Sequence, residues 1–370
     1  MAKAIGILDL HGSNDLGPLT ENRSIASTSF LGRYAFMDFP LSNFANSGID
    51  QQGMLVRDHL RSIIQHLGNS HSWSSNTKLG GLSLLYDEPM ASYPAYNNDV
   101  NNLLENSWFL KGTSGDVVVI APSHILYRMD FRPLIRDHIK NNHRISVVVH
   151  TLNNGKTSFL GEDIATVDER GFLRDLNPNQ GTEDEIDISM RTYIVDKEVL
   201  NGIINVARKT SAVYSLRDTI KMLSHDMPIF TYKHTGYIRC FDSMNSYLDY
   251  SLQLLKESNF TSLFAPDWDI FTKTYDTPPA KYGLNADVKG SFIANGCQID
   301  GTVINSIISR GVIVKEGALI KDSVILSDSF ISEDSKLSSV ICDKNARILH
   351  AKDLISTPEK PVFIKRGDIV

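Results

Sequence analysis

The chain is short of several things, and each shortage closes off a class of function. Cysteine occurs three times in 370 residues, at Cys240, Cys297 and Cys342. The number is odd and the spacing fits no usual metal-ligand pattern, so thiols kept reduced in a cytosol are expected rather than a disulfide framework. No apolar run approaches the ~20 residues that span a bilayer. A basic start, an apolar centre and a small-residue cleavage site are all missing. A strand pattern begins almost at Met1, so a cytoplasmic chain without a processed leader is expected. Excess positive charge is missing too. Lys and Arg number 37 against 43 Asp and Glu, a formal charge of −6 that leaves no global basic field for nucleic acid or an anionic membrane. Small molecules or proteins are the expected partners.

Glycine is scarce where it would matter most. A strand-like Ala4-Ile5-Gly6-Ile7-Leu8 runs into Asp9-Leu10-His11-Gly12-Ser13-Asn14-Asp15-Leu16-Gly17-Pro18-Leu19-Thr20, where a loop would wrap nucleotide phosphates. Such a loop needs several glycines, so that backbone N–H groups come close, and a cation to offset phosphate charge. Here the tight part keeps Gly12, and Asp15 brings a negative charge instead. A carboxylate beside a triphosphate in a partly dry cleft costs on the order of kcal/mol per close pair. Histidine is absent from Asn285 to Leu349, the first being His350. That removes the general base an acyltransferase built on a C-terminal coil would need.

What is present describes two domains, because 370 residues at 42% hydrophobic content exceed one ordinary core. Residues 1–255 alternate apolar runs with amphipathic segments, predicting an α/β domain with a mostly parallel sheet. Strands are predicted at Ile5–Leu8, Gly53–Val56, Val117–Ala121, Ile145–His150, Ile188–Val195 and Ile229–Tyr232. Helices are predicted at Asp58–Leu67, Val100–Leu110, Pro133–Asn141, Lys197–Arg208 and Leu216–Ser224. Val117-Val118-Val119-Ile120 is apolar on both faces, as a central strand under two helix layers requires. Any ligand should sit beyond the strand ends. Residues 256–285, with Pro266, Pro278 and Pro279 among aromatics, read as a linker. Over 286–370 the period becomes six. Ile307, Ile313, Leu319, Ile325, Ile331 and Leu337 are aliphatic at six-residue steps, Ile293 and Ile299 form an earlier step, and Gly311 and Gly317 are six apart. This predicts a parallel β-helix of hexapeptide turns with one inward aliphatic residue per side.

A nucleotide-type domain followed by a hexapeptide coil is the layout of sugar-nucleotide pyrophosphorylases. The segment Gly32-Arg33-Tyr34-Ala35-Phe36-Met37-Asp38-Phe39-Pro40-Leu41-Ser42-Asn43-Phe44-Ala45-Asn46-Ser47-Gly48-Ile49 closely resembles the one after the phosphate loop in glucose-1-phosphate adenylyltransferases (ADP-glucose pyrophosphorylases). Met129-Asp130-Phe131, Ser189-Met190 before Tyr193, Gly236-Tyr237 and Ser309-Arg310-Gly311-Val312-Ile313-Val314 extend the resemblance over nearly the whole chain. It implies a Rossmann-like nucleotidyltransferase domain and a C-terminal left-handed parallel β-helix. It also implies a place in glycogen biosynthesis, where ATP and glucose 1-phosphate become ADP-glucose and pyrophosphate.

Departures from the family pattern imply a degenerate active site. Alignment on Leu16 and Leu19-Thr20 puts Asp15 where catalytic members carry an arginine for the departing pyrophosphate, and Ile25 where they carry a lysine. The family's Gly-Asp-His, whose carboxylate binds Mg²⁺, reads Pro122-Ser123-His124, and Cys240 takes the second aspartate's place. Asp242 lies two residues on, which along a strand displaces the carboxylate by ~7 Å. Asn177 replaces the lysine that holds the sugar phosphate, and Arg191 replaces a glycine. Leu10, Gly12, His124, Arg191 and Asp242 would line a residual nucleotide or sugar pocket, with Arg191 filling it or binding an anion. No metal or other cofactor is expected in this chain, and Mg²⁺ is expected only in a catalytic partner. The pattern resembles GlgD-type regulatory subunits, implying a hetero-oligomer, a tetramer by resemblance, with a catalytic ADP-glucose pyrophosphorylase subunit. Arg23, Arg33 and Arg366 are candidates for binding a phosphorylated effector. The alternative is an active nucleotidyltransferase rebuilt around His124, Asp242 and a cation such as Arg23 or Arg33. His59, His66 and His71 read as surface or helix-end residues, and Trp73 as loop packing, a cap over the cleft or a contact to a neighbouring subunit.

Overall fold

The computed structural model describes residues 3–12, 14–68, 71–73, 81–86, 97–209, 215–349 and 353–370. They divide into two compact units, neither continuous in sequence. The first comprises Met1–Ser13, Met37–Cys240 and Trp268–Phe271. Its centre is the strand Ala4–Asp9, paired in parallel with Gln51–Val56 on one side and Val117–Pro122 on the other. Gly81–Tyr86 continues the parallel edge. The long strand Ile186–Asp196 runs antiparallel to both Val117–Pro122 and Ile145–Leu152, and Phe230–His234 joins the latter in parallel. Asp163–Val167 and Leu173–Pro178 form a further antiparallel pair that Ile188 links to the sheet.

The apolar stripes account for this packing. Every residue of Val117–Pro122 is buried. Its Val118 and Ile120 share one core with Ile5, Ile7, Val147 and Tyr193, closed by Leu200 and Ile204 one helical turn apart. The expected helix Val100–Leu110 is two, Asp99–Glu105 and Ser107–Gly112. Asn106 separates them because its side-chain amide donates to Asn102 O and to Tyr86 O, offering the chain an alternative to the helical ladder. The helix expected from Asp58 starts at Leu60, since His59 sits in the left-handed region at φ 50°. The block from Asp38 folds as the helix Asp38–Asn46. Buried Asp38 receives His66 Nε2 at 2.7 Å, while Asn43 donates to Tyr127 O and accepts from Met129 N and Trp268 Nε1. Its polar residues therefore serve as internal latches. Trp73 is buried and donates to Phe271 O at 3.1 Å, which makes it loop packing; the serines following it, the side chain of His71 and His350 lie outside the described residues.

The second unit comprises Asn14–Phe36, Phe241–Asp267 and Thr272–Val370. Phe30, Phe36, Phe241 and Tyr247 form a buried aromatic cluster, and Tyr247 Oη donates to Ser29 O. The stretch read as a linker contains a helix, Glu257–Leu263, and its last part is already coil: Lys281–Tyr282 pairs with Gln298–Ile299. From there a left-handed β-helix rises as three parallel sheets of five short strands each. The step from Lys281 to Gln298 holds 17 residues and the next holds 15, as Gln298 pairs with Ile313 and Asp287 with Thr302. The following steps hold 17, as Thr302, Leu319, Lys336 and Asp353 stack in one column, and the last lengthens to 22 where Val340 pairs with Val362.

Seventeen is two sides of six and one of five, which corrects the unbroken six-residue ladder. Ile325, Ile331 and Leu337 point inward as expected, but in the preceding turn Val314 and Ile320 are buried while Ile313 and Leu319 are half-buried on the outside. Strand side chains alternate faces, so the missing residue between Ile320 and Ile325 exchanges the whole inward set. No helix among the described residues is long and apolar enough to cross a membrane.

Candidate functional site

The central strand ends at Asp9, and the chain turns there by bonding to itself. Asp9 Oδ1 accepts from His11 N at 2.9 Å and lies 3.2 Å from His11 Nδ1. Leu10 N donates to Leu55 O, and Gly12 O accepts from Arg57 Nη1. The amide that a phosphate loop would offer from His11 is thus taken by a carboxylate of the same turn. Farther along, Asp15 does likewise: its Oδ1 accepts from Gly17 N at 2.7 Å and from the Thr20 hydroxyl, whose oxygen accepts in turn from Leu16 N. Ile25 sits half-buried in the 3₁₀ turn Ile25–Ser27, capped by Ser24.

Beyond the strand ends lies a cavity of about 430 Å³ whose walls include three aspartates, Asp9, Asp99 and Asp218, and three arginines, Arg57, Arg191 and Arg217. Asp99 Oδ1 accepts from Val100 N and from Leu216 N, joining the starts of two helices. Burial, reinforced by the Asp9 charge, pushes its carboxyl up to about 7. Burial opposes ionisation of Asp9 as well, but its bonds to His11 and the charges of His11 and Arg191 hold it below the usual carboxylate range. Arg217 is held by Asp163, through Nε at 2.7 Å and through Nη2, and by Asp218 at 2.9 Å.

Arg191 occupies a left-handed backbone position, φ 47°, at the irregular register between Ser189 and Thr192. A glycine adopts that conformation without strain; a long cationic side chain adopts it only where the surroundings hold it. Here its Nε stands 2.7 Å from Glu162 Oε2. The other oxygen, Oε1, faces His124 Nε2 at 3.1 Å and Cys240 Sγ at 4.0 Å. Ser123, His124, Glu162 and Cys240 are all buried.

A nucleotidyl transferase family model matches residues 12–234, and a GlmU-like C-terminal hexapeptide model matches residues 278–356. A glycogen biosynthesis protein GlgD of Bacillus subtilis is 29% identical over 98% of this chain and 96% of its own length. The GlgD of Geobacillus stearothermophilus is 30% identical over 84% of this chain and 80% of its own. A glucose-1-phosphate adenylyltransferase of Clostridioides difficile is 28% identical over 81% and 78%. The chain belongs to the nucleotidyl transferase family. Its relatives place it in the glycogen-related branch, among the glucose-1-phosphate adenylyltransferases and GlgD proteins.

Against that family's Mg²⁺, the residues present do not fit. A hard divalent cation takes anionic and carbonyl oxygens, whereas the buried corner offers an imidazole, a thiol and one carboxylate whose second oxygen faces Arg191. Other expected positions are scattered. Asn177 is exposed, bonded to Asp175 and Lys221. Asp242 accepts from the Ser243 hydroxyl at the start of the helix Met244–Gln253, a helix-end role rather than a lining one. Arg23 is not open to an effector: it is buried and bidentate to Asp343, at 2.8 and 2.6 Å. Arg33 is exposed over the Tyr34 ring, and Arg366 is exposed. Lys344, unremarked in the sequence, is held down to about 8 by burial first and by Arg23 and Arg366 next. Asp99, Glu162 and Arg217 were also missed, since each matters through a partner at least 38 residues away, and no local motif announces them.

Proposed function

We propose that this chain is a non-catalytic or barely catalytic regulatory subunit that assembles with a catalytic glucose-1-phosphate adenylyltransferase and adjusts its rate or effector response. The observation that carries the reading is the charge arrangement at the strand ends. Nucleotidyl transfer depends on positioned cations and oriented N–H groups around the migrating phosphoryl centre. Here Arg191 and Arg217 stand against Glu162, Asp163 and Asp218, and the amide of His11 bonds to Asp9. Each is spent on a carboxylate of this chain. A regulatory subunit needs none of them free. It needs differential contact with two states of its partner, and about 1–3 kcal/mol of such coupling changes an affinity 5- to 150-fold. Mg²⁺ then belongs to the catalytic partner, the assembly is a hetero-oligomer of tetramer type in the cytoplasm, and a phosphorylated metabolite is the effector. Lys344 and Arg366 are the cations we assign to that effector, in place of Arg23.

The cavity itself favours a second reading. An open volume of about 430 Å³ lined by Asp99 and three arginines is large enough for a sugar phosphate, so a rebuilt nucleotidyltransferase is the alternative. ADP-glucose synthesis from ATP and glucose 1-phosphate separates the two, measured with this chain alone, a catalytic paralogue alone and the co-expressed pair. Silence alone, with a co-purifying complex of altered rate or effector response, is the expected outcome. Turnover by the isolated chain would overturn the regulatory reading.

A further inference from the structure

The corner that does not fit Mg²⁺ has a donor set of its own. His124 comes from the turn between strands Val117–Pro122 and Ile125–Tyr127, and Cys240 from the strand Ile238–Cys240, whose Cys240 pairs with Ile125. Glu162 comes from the segment leading into Asp163–Val167. One donor atom from each, a nitrogen, an oxygen and a sulfur, lies within 4.8 Å of the other two. All three residues are buried. In a tetrahedral Zn²⁺ site, bonds of ~2.0–2.3 Å set neighbouring donors about 3.3–3.8 Å apart. The 3.1 Å from His124 Nε2 to Glu162 Oε1 and the 4.0 Å from Cys240 Sγ to the same oxygen bracket that spacing.

The orientation of Glu162 is the second observation. Nitrogen and sulfur converge on Oε1, while the Arg191 cation faces Oε2 at 2.7 Å. A carboxylate bound to a metal through one oxygen and held through the other by a neighbouring group is the common outer-shell arrangement. Arg191 therefore stands behind the ligand and does not take the ion's place. Gly161, next to Glu162 in sequence, and Arg191, which faces Glu162, both line the cavity.

We propose that His124, Glu162 and Cys240 form a binding site for a borderline-soft divalent cation, Zn²⁺ or Co²⁺. Imidazole and thiolate select such ions over Mg²⁺. Binding displaces the Cys240 thiol proton to solvent and leaves a thiolate on the metal. The bound ion ties the pair of short strands Ile125–Tyr127 and Ile238–Cys240 to the Glu162 segment beside the cavity.

The test uses the full chain stripped with a chelator and titrated with Co²⁺ or Zn²⁺ alone. One equivalent per chain is expected, with a thiolate-to-cobalt charge-transfer band in the near ultraviolet and a rise in the thermal midpoint with Zn²⁺. Cys240→Ser should abolish the band, and Cys240→Ser and Glu162→Gln should each weaken Zn²⁺ binding at least tenfold while far-ultraviolet circular dichroism stays unchanged. A unit equivalent without the band in the wild-type chain overturns the proposal, and this result needs no variant to fold. A band that persists in Cys240→Ser overturns it as well, because the sulfur would then belong to Cys297 or Cys342. None of these readouts involves catalysis, so the outcome is independent of whether the chain is regulatory.

Discussion

Single residues decide what the strand ends can do. Asp99 carries a folded-state pKa of about 7 against an ordinary carboxyl near 3.8, raised by burial and by Asp9. A raised carboxyl pKa means that the folded state binds the proton more tightly than the unfolded chain does. Its stabilising share is therefore whole below about pH 4 and falls as pH rises towards 7. Asp99→Asn keeps an oxygen for Val100 N and Leu216 N without the charge. In urea unfolding, the variant should exceed the parent by at least about 1 kcal/mol at pH 8, and the gap should shrink towards pH 4. A pH-independent difference would contradict the assigned pKa. Arg23 and Asp343 form the opposite case, a buried pair whose charges satisfy each other. Arg23→Ala should cost about 3–5 kcal/mol by leaving Asp343 without its counter-charge, whereas replacing both by apolar residues of similar volume should recover most of it. A cost under about 1 kcal/mol for the single change would show the pair to be hydrated.

At the scale of elements, the coil is where sequence pattern and structure can be compared most closely. The six-residue period was legible because each short side must supply one aliphatic side chain to a shared interior. The five-residue side was not, because Ile313 and Val314, or Leu319 and Ile320, are adjacent aliphatics and either could face in. Stacking with the next turn settles the choice: Val314 pairs with Ile331 and Ile320 with Leu337. Ile320→Ala should therefore destabilise by about 2–5 kcal/mol and Leu319→Ala by much less, read from unfolding midpoints. Equal losses would reject the 17-residue register. The coil corners carry a second test. Gly317 has φ 74°, and a Cβ there would overlap Asp334 Oδ1. Gly317→Ala should cost about 1–2 kcal/mol through strain and displacement of that side chain.

For the molecule as a whole, the family architecture is present and the site at its strand ends is paired internally. The sheet still ends in a cavity, but its arginines and amides are turned towards carboxylates of the same chain. Lys344 belongs to this scale because its charge state is set by burial and by Arg23 and Arg366, which folding brings to it from far along the chain. With its pKa lowered to about 8, it is cationic at neutral pH and loses its proton as pH rises beyond that value. Binding of pyrophosphate, used as an anion probe, should weaken several-fold between pH 7 and pH 9 in the parent. Lys344→Met should bind weakly at both. Unchanged pyrophosphate affinity in Lys344→Met would remove this residue from the effector site.

The sequence by itself determined the two architectures and the principal apolar strands, because hydrophobic period and short motifs are local properties of the chain. It also raised the expectation of substituted positions at Asp15, Ile25, Ser123, Asn177 and Cys240, readable one at a time against the family pattern. Which charges meet one another was decided by the tertiary structure alone. Glu162 meets His124 and Cys240 across 38 and 78 residues, Arg217 meets Asp163 across 54, and Arg23 meets Asp343 across 320. The energy of a buried charge depends on what folding brings within a few ångströms of it, and no spacing along the chain encodes that distance.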